Sequence, residues 1–186
     1  MEKSNIIETK GVTIKFNELV AVNNVDFSMK EGEAVGIIGP NGAGKTTFFN
    51  LLTGMFPPNC GTIFYDGKDV TGIPPHRRVM LGMARTFQLV SVFDSLTVLD
   101  NLILSVVRFR EKQESQSGFF FADAHHSSLV ETCKEALTTM GIEEKAGLMT
   151  SELSYGDKRK LEIAVALSLK PRLLLLDEPF AGLGDL

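Results

Sequence analysis

The stretch GPNGAGKTT, residues 39–47, is the most informative part of this 186-residue chain for its fold. It fits the pattern G-x-x-x-x-G-K-[ST] and lies between a predicted strand over 34–38 and a predicted helix that begins near Lys45. Phosphate groups bind in a concave ring of backbone N–H groups, and glycine lacks the Cβ that would keep a ligand away. The helix start adds unpaired amides and the positive end of its dipole. The stretch therefore predicts a loop that binds nucleotide phosphates.

The polar side chains of this loop have predicted roles in holding a triphosphate and its metal ion. Lys45 supplies a charge for the β and γ phosphates and is also a predicted catalytic residue, while Thr46 offers a hydroxyl to Mg²⁺ and Thr47 reaches the α phosphate. The alternative, a glycine-rich turn that happens to precede a helix, is disfavoured by the flanking strand and helix patterns. The predicted nucleotide-binding residues here are Gly39, Pro40, Asn41, Gly42, Ala43, Gly44, Lys45, Thr46 and Thr47.

A second stretch, RLLLLDE at residues 172–178, places two carboxylates after an apolar strand. Ligands bind at the carboxyl ends of strands in open α/β sheets, so Asp177 is a predicted ligand of Mg²⁺ through water. Glu178 stands one residue further on, where it can act as a general base that orients a water against the γ-phosphoryl group. Alone, this pair would be a solvated strand end or a helix cap. Beside a complete phosphate loop, it predicts hydrolysis.

Composition and periodicity predict one globular α/β chain. It is 44% hydrophobic and 23% charged, and 19 basic against 23 acidic residues give a net charge of −4, which argues against nucleic acid as a partner. The first sixty-odd residues are β-rich, residues 95–140 show helical spacing, and EKQESQSG at 111–118 is predicted to be a surface connection. A helix starts at SYGD and ends near Leu169, before the strand of RLLLLDE. We see neither a signal peptide nor a membrane-spanning segment.

Three further motifs resemble those of ATP-binding cassette (ABC) ATPases. LSYGD, residues 153–157, resembles the family's LSGGQ signature and precedes LLLLDEP at the family's distance. Gln88 in RTFQ matches the family's Q-loop, which implies a catalytic and metal-binding role. Phe16 lies where the family places an aromatic ring that stacks on adenine, and Val22 is its expected neighbour. The resemblance covers essentially the whole chain and implies ATP and Mg²⁺ as cofactors.

The signature implies a dimer. Ser154 can cap the helix while Asp157 occupies the capping-box position, and the helix start with Gly156 forms a second anion site. In the family, the residues matching Ser154 and Gly156 face the γ-phosphate bound to the opposite subunit, so two ATP molecules lie between two subunits. The chain departs from the family pattern at Tyr155, where glycine is usual, and at Asp157, where glutamine is usual.

The expected fold class is α/β: a P-loop NTPase core of the ABC type with an N-terminal antiparallel β subdomain and an inserted helical subdomain. We expect a single domain over 1–186 that is incomplete at the C-terminus, with nucleotide-binding core and β subdomain at 1–88, helical subdomain at 89–153, and signature helix with final strand at 154–186. The family continues to a histidine at its H-loop, which has no counterpart here. We therefore expect weak nucleotide binding, slow ATP hydrolysis and an exposed sheet edge.

Within the family, RTFQ, the LSYG form of the signature and DEPFAGL are most similar to ATPases of branched-chain amino acid importers. Urea or amide importers and lipopolysaccharide exporters remain open alternatives. The resemblance implies a second ATPase subunit, identical or different, membrane permease subunits and, indirectly, a solute-binding protein. It places the chain in the cytoplasm, peripheral to the cell membrane, and residues 88–101 resemble the family's surface for the permease's coupling helix.

Two other classes of protein share the nucleotide-binding motif. Non-transport ABC ATPases that act on DNA or the ribosome resemble this chain at the nucleotide site, but they carry a long coiled coil or two cassettes. A different P-loop enzyme, such as a nucleotide kinase, would leave LSYGD unexplained. The short insertion and single cassette favour the transport ATPase.

Overall fold

A computed structural model of the chain describes residues 4–86, 92–114 and 126–178. It contains two compact units, residues 1–83 and residues 84–186. In the described part of the chain, no helix combines the length and the apolar character that crossing a membrane requires. The two units are described in turn.

The first unit contains a four-stranded antiparallel sheet in the order β2-β1-β3-β4. Strand β1 (Asn5–Phe16) pairs with β2 (Leu19–Lys30) on one side and with β3 (Cys60–Tyr65) on the other, with bulges in both ladders. The short strand β4 (Lys68–Asp69) pairs with β3. The β-rich start predicted from the sequence is confirmed.

A tight turn at Asp66 and Gly67 connects β3 with β4. Both residues adopt positive φ, 50° and 72°, as a two-residue hairpin turn with the right-handed strand twist requires. Asp and Gly are among the residues that accept this conformation at least cost. The Asp-Gly pair therefore suits the turn between these two strands.

Helix α1 (Lys45–Thr53) follows the phosphate loop and buries one face in the first unit. Phe48 packs edge-on against Phe27, with ring centroids 5.7 Å apart. Gly54 ends the helix at φ 76°, and its N–H and that of Met55 donate to the carbonyls of Leu51 and Asn50. A helix that begins at Lys45 and stops at Gly54 is the one that the sequence predicted.

Arg78, on the short helix α2 (Pro75–Met80), is almost fully buried in the first unit. Its guanidinium donates to main-chain oxygens, which ties the end of α1 to the segment after β4. Burial lowers its pKa to about 10, so the group stays charged at neutral pH. The five carbonyl acceptors belong to Leu51, Leu52, Val70, Thr71 and Ile73.

The predicted strand over 34–38 is wrong. These residues form no ladder with any described strand, and Val35 and Ile38 are 48% and 96% exposed. An apolar run becomes a buried strand only when neighbouring strands satisfy its backbone and other elements cover its faces. The described residues of the first unit supply no such neighbours. The apolar composition of residues 34–38 was therefore not enough to predict a strand.

The described residues of the second unit form three helices and a two-stranded sheet. The strands are β5 (Met83–Arg85) and β6 (Leu173–Leu175), and the N–H of Thr86 donates to the Leu175 carbonyl. The helices are α3 (Val98–Glu114), α4 (His126–Thr139) and α5 (Tyr155–Ser168), with short 3-10 turns at Glu143–Lys145 and Thr150–Glu152. Their shared core is Val98, Leu102, Val106, Leu129, Cys133, Ala136, Leu137, Ile142, Leu153, Leu161 and Ala164.

The helical middle of the chain and the final strand are confirmed, with one boundary corrected. Helix α3 extends to Glu114, so residues 111–114 of the expected surface connection are helical, because Glu, Lys and Gln are good helix formers. Residues 115–118 lie outside the described part. Gly141 ends α4 at φ 64°. The three-part division at 88 and 153 stays a prediction.

Candidate functional site

The phosphate loop is compact because two of its glycines adopt left-handed backbone. Gly42 and Gly44 have φ of 82° and 83°, and the N–H of Ala43 donates to the Pro40 carbonyl at 3.2 Å. A Cβ on Gly44 would lie 2.3 Å from the main-chain oxygen of Ala21. Only glycine satisfies both the backbone angle and this close approach. The loop is therefore pressed against strand β2 at the residue before α1.

The Lys45 ammonium folds back over the loop. Its Nζ donates to the carbonyl of Gly39 at 2.6 Å and to that of Pro40 at 2.9 Å. An ammonium has three donors, and a phosphate oxygen is a stronger, charged acceptor than a carbonyl. The side chain is thus held where it can exchange carbonyl oxygens for phosphate oxygens. Thr46 and Thr47 follow it in the first turn of α1.

The predicted adenine-contacting residues differ in their accessibility. Phe16, at the end of β1, is 41% exposed and meets Phe56 edge-on, with ring centroids 5.5 Å apart. Val22 is buried, and its Cγ2 lies 3.6 Å from the position of a Cβ on Gly44. Phe16 is therefore accessible to a ligand. Val22 packs against the phosphate loop at Gly44.

The signature sequence starts helix α5 in the second unit. Ser154 is the N-cap: its Oγ accepts from the Asp157 N–H at 3.1 Å and donates to the Asp157 carboxylate at 2.7 Å. The predicted cap is confirmed, and Gly156 lies in the first turn, behind the exposed Tyr155. Serine at this position leaves the other free amides of the turn available to an anion.

Lys145 compensates the charge that Asp157 brings to this helix start. Its ammonium lies 2.7 Å from the Asp157 carboxylate, with the two side chains 30% and 16% exposed. The bonds from Lys145 and Ser154 lower the pKa of Asp157 below its ordinary value of 3.8. The negative charge that Asp157 brings in place of the usual glutamine is therefore compensated by Lys145.

The two carboxylates after β6 have different surroundings. Asp177 is buried and forms an ion pair with Arg85 at 2.9 Å, both side chains being 6% exposed. Glu178 is exposed and adopts φ 49°, a left-handed conformation that costs a non-glycine residue roughly 1–2 kcal/mol. Strain of this kind persists only where neighbouring groups fix the backbone. Glu178 is therefore the more accessible residue of the acidic pair.

Arg159 is the residue that sequence reasoning missed. A basic run such as KRK, residues 158–160, is typical of a solvated helix face, but Arg159 is 1% exposed. It pairs with Glu162 one turn later and donates to the main-chain carbonyls of Asp177 and Glu178. The signal was present: Ile163 and Ala166 follow Arg159 at i+4 and i+7, which places it on the apolar face.

Each unit thus brings its own predicted residues together. The first holds the loop glycines, Lys45 and Phe16, and the second holds Ser154 and Gly156 at one helix start and Asp177 and Glu178 after β6. Gln88, the predicted catalytic and metal-binding residue of the Q-loop, lies outside the described residues.

Comparison with known proteins identifies the family. Residues 22–181 match the ABC transporter family. The chain is similar to the high-affinity branched-chain amino acid transport ATP-binding protein BraF of Pseudomonas aeruginosa, with 40% identity over 181 residues that cover 96% of this chain and 71% of BraF. For LivG of Escherichia coli, a protein of the same description, the identity is 38% over 185 residues, with coverages of 96% and 71%.

A solved structure agrees. MJ1267, an ATP-binding cassette of an ABC transporter in its ADP conformation, has a TM-score of 0.81 to this chain at 29% identity, covering 96% of this chain and 70% of MJ1267. The chain therefore belongs to the ABC transporter family, and its fold is that of an ABC ATPase cassette.

Replacing Gly44 by alanine tests the close approach at the phosphate loop. The new Cβ would meet a backbone oxygen at 2.3 Å in a left-handed residue, so we expect the free energy of unfolding to fall by roughly 2–4 kcal/mol and ATP affinity to fall at least tenfold. The matched control is Gly67→Ala, where φ is 72° but no atom lies within 4 Å. It should lose only about 1 kcal/mol and keep its affinity. Equal losses in thermal unfolding and ATP titration would contradict the explanation.

Replacing Asp157 by asparagine tests the ion pair with Lys145. Since the folded state lowers the pKa of Asp157, its stabilising contribution is fully present above pH 3.8 and is lost as the pH falls through the folded pKa. We expect Asp157→Asn to be less stable than wild type by about 1 kcal/mol at pH 7. Urea unfolding at pH 7 and pH 3 measures the difference. A gap that persists undiminished at pH 3 would show that the carboxylate charge is not responsible.

Proposed function

We propose that this chain is the ATP-binding and ATP-hydrolysing subunit of an ABC importer for branched-chain amino acids. The observation that carries the proposal is the placement of Lys45 at the start of α1, directly after a glycine that packs on the backbone of Ala21. This arrangement leaves the helix amides and an ammonium facing one loop. Relatives named for branched-chain amino acid transport support the choice of solute.

In the proposed reaction the phosphate loop binds the triphosphate and Glu178 activates water. The loop amides and Lys45 hold the β and γ phosphates and offset the negative charge that develops during transfer. Glu178 accepts a proton from a water molecule as the water oxygen forms its bond to the γ-phosphorus atom. The bond from that phosphorus to the β–γ bridging oxygen breaks, leaving ADP and inorganic phosphate. Gln88 is proposed to assist, as in the family.

The residues proposed to hold Mg²⁺ fit that ion. Thr46 offers a hydroxyl and Asp177 a carboxylate, both hard oxygen ligands. The ion pair with Arg85 engages one carboxylate oxygen of Asp177, Oδ2, and an ionised carboxylate accepts further bonds. Within the described residues, no cluster of three or more His, Cys, Asp or Glu could hold a metal by itself, which suits an ion held largely by nucleotide phosphates. Bound Mg²⁺ would neutralise phosphate charge.

We propose that two ATPase subunits, identical or different, close around ATP, with Ser154 and Gly156 of one subunit binding the γ-phosphate held by the other. The first-turn amides of α5 support this role, and the Ser154 hydroxyl, which donates to the Asp157 carboxylate, would exchange that acceptor for a phosphate oxygen. The closure would be passed to permease subunits at the cytoplasmic face of the membrane, and a solute-binding protein would act on their far side.

Residues 92–101 support the contact with the permease. Phe93 is 57% exposed, yet its backbone is held by the buried Asn101, whose amide accepts from the Phe93 N–H and donates to the Phe93 carbonyl. Asp94 forms an ion pair at 2.6 Å with Lys158 of α5. An exposed aromatic side chain on a hydrogen-bonded backbone, next to an ion pair with the signature helix, suits a contact surface for a partner.

Replacing Glu178 by glutamine tests the proposed base. Since glutamine keeps the shape but accepts no proton, ATP hydrolysis should fall at least 100-fold while ATP binding changes less than threefold. Single-turnover assays with protein in excess over ATP measure slow rates, and an ATP titration measures binding. The control is Glu144→Gln, an exposed glutamate of a 3-10 turn, which should leave both quantities unchanged. Undiminished hydrolysis in Glu178→Gln would exclude this assignment.

Uptake tests the proposed solute. Cells that lack the encoding gene should take up labelled leucine, isoleucine and valine more slowly, and the wild-type gene, but not its Lys45→Ala form, should restore the rate. Parallel uptake of urea and short amides, with measurement of surface lipopolysaccharide, distinguishes the two related systems. A defect confined to either of them would replace the proposed solute while leaving the ATPase in place.

A further inference from the structure

We propose that Arg159 is a positioning residue for the base, fixing the backbone of Glu178 and thereby the direction of its carboxylate. The inference rests on the proposed function of Glu178 in ATP hydrolysis. It concerns a side chain outside LSYGD and outside the acidic pair, on the α5 helix that the signature begins.

The geometry around Glu178 carries the argument. One nitrogen of Arg159, Nη2, donates to the carbonyl of Asp177 and, at 3.2 Å, to the carbonyl of Glu178. These two carbonyls belong to the peptide groups on either side of the Glu178 Cα. Because peptide groups are planar, holding both carbonyls fixes φ and ψ of Glu178 and so the direction of its Cα–Cβ bond.

The conformation being held is one that rarely persists without such support. Glu178 has φ 49°, in the left-handed region that non-glycine residues seldom occupy. A base must lie within hydrogen-bond reach of the water it activates, so a rotation of this backbone would carry the carboxylate away. Arg159 thus acts on the reaction through main-chain atoms of Glu178.

Arg159 is itself immobilised. Its side chain is 2% exposed, and its Nη1 pairs with the Glu162 carboxylate, which is 8% exposed, on the next turn of α5. Arg85 holds the neighbouring Asp177 through its side-chain carboxylate. The backbone and the side chain of the acidic pair are therefore held by two different arginines. Only Arg159 belongs to the helix that starts with Ser154, so a shift at that helix start would reach Glu178 through Arg159.

The decisive variant is the double substitution Arg159→Met with Glu162→Leu. Replacing both members of a buried ion pair by apolar residues of similar volume often preserves stability, so this protein should remain folded while losing both bonds to the carbonyls. We expect its single-turnover rate of ATP hydrolysis to fall about 10–100-fold, with the ATP concentration at half-maximal rate changed less than threefold. Arg159→Lys, which has no planar fork, should show the same pattern.

Two controls separate positioning from loss of structure. Leu161→Ala, at a fully buried core position of α5, should lower the melting temperature but reduce the rate less than threefold. Adding Glu178→Gln removes the group being positioned. In that background, the Arg159→Met and Glu162→Leu pair should cause no further loss, because its effect passes through the Glu178 carboxylate.

Each outcome has a distinct meaning. Wild-type rate in the folded Arg159→Met and Glu162→Leu variant, or a full 10–100-fold loss added to that of Glu178→Gln, would overturn the positioning role and leave the proposed function standing. Absence of any Glu178-dependent hydrolysis in the wild-type protein would overturn the proposed function, and this inference with it. Loss of rate that appears only with an intact Glu178 supports the positioning role.

Discussion

A buried guanidinium that donates to main-chain carbonyls is the interaction on which each unit depends. In the first unit, Arg78 donates hydrogen bonds to carbonyls at the end of α1 and in the segment after β4. In the second unit, Arg159 donates hydrogen bonds to the carbonyls of Asp177 and Glu178. Leaving a buried carbonyl without a hydrogen-bond donor lowers the free energy of unfolding by about 1–3 kcal/mol. Each arginine supplies such donors and so stabilises the backbone conformation around it. Arg78 fixes the end of the helix that starts at the phosphate loop, and Arg159 fixes the backbone of the proposed base, Glu178.

The charges around these elements follow one pattern. The regions proposed to receive phosphate expose donors, and two carboxylates near them form ion pairs. Asp157 pairs with Lys145, and Asp177 pairs with Arg85. Glu178 is the exposed residue of the acidic pair, and its proposed role is to activate water. An uncompensated carboxylate at the start of α5 would repel a phosphate, and the pair with Lys145 reduces that repulsion.

Local features were predictable from the sequence, and features that join distant residues were not. The phosphate loop, the start of α1 at Lys45 and the Ser154 cap depend on residues within one or two turns of each other. The Asp66–Gly67 turn is equally local. The pairing of Arg85 with Asp177 joins residues 92 positions apart and has no periodic signature. The strand prediction for residues 34–38 was wrong for the same reason, since strand formation depends on partner strands that composition does not reveal.

The loop around Lys45 is proposed to bind ATP, and calorimetric titration of the protein with ATP and Mg²⁺ measures that binding. We expect saturable binding of one ATP per chain, lost in Lys45→Ala at unchanged melting temperature. Inorganic phosphate added alone should bind far more weakly than ATP, because adenine and three phosphates contribute together. Binding that is absent, or that survives Lys45→Ala unchanged, would show that this loop is not the nucleotide site.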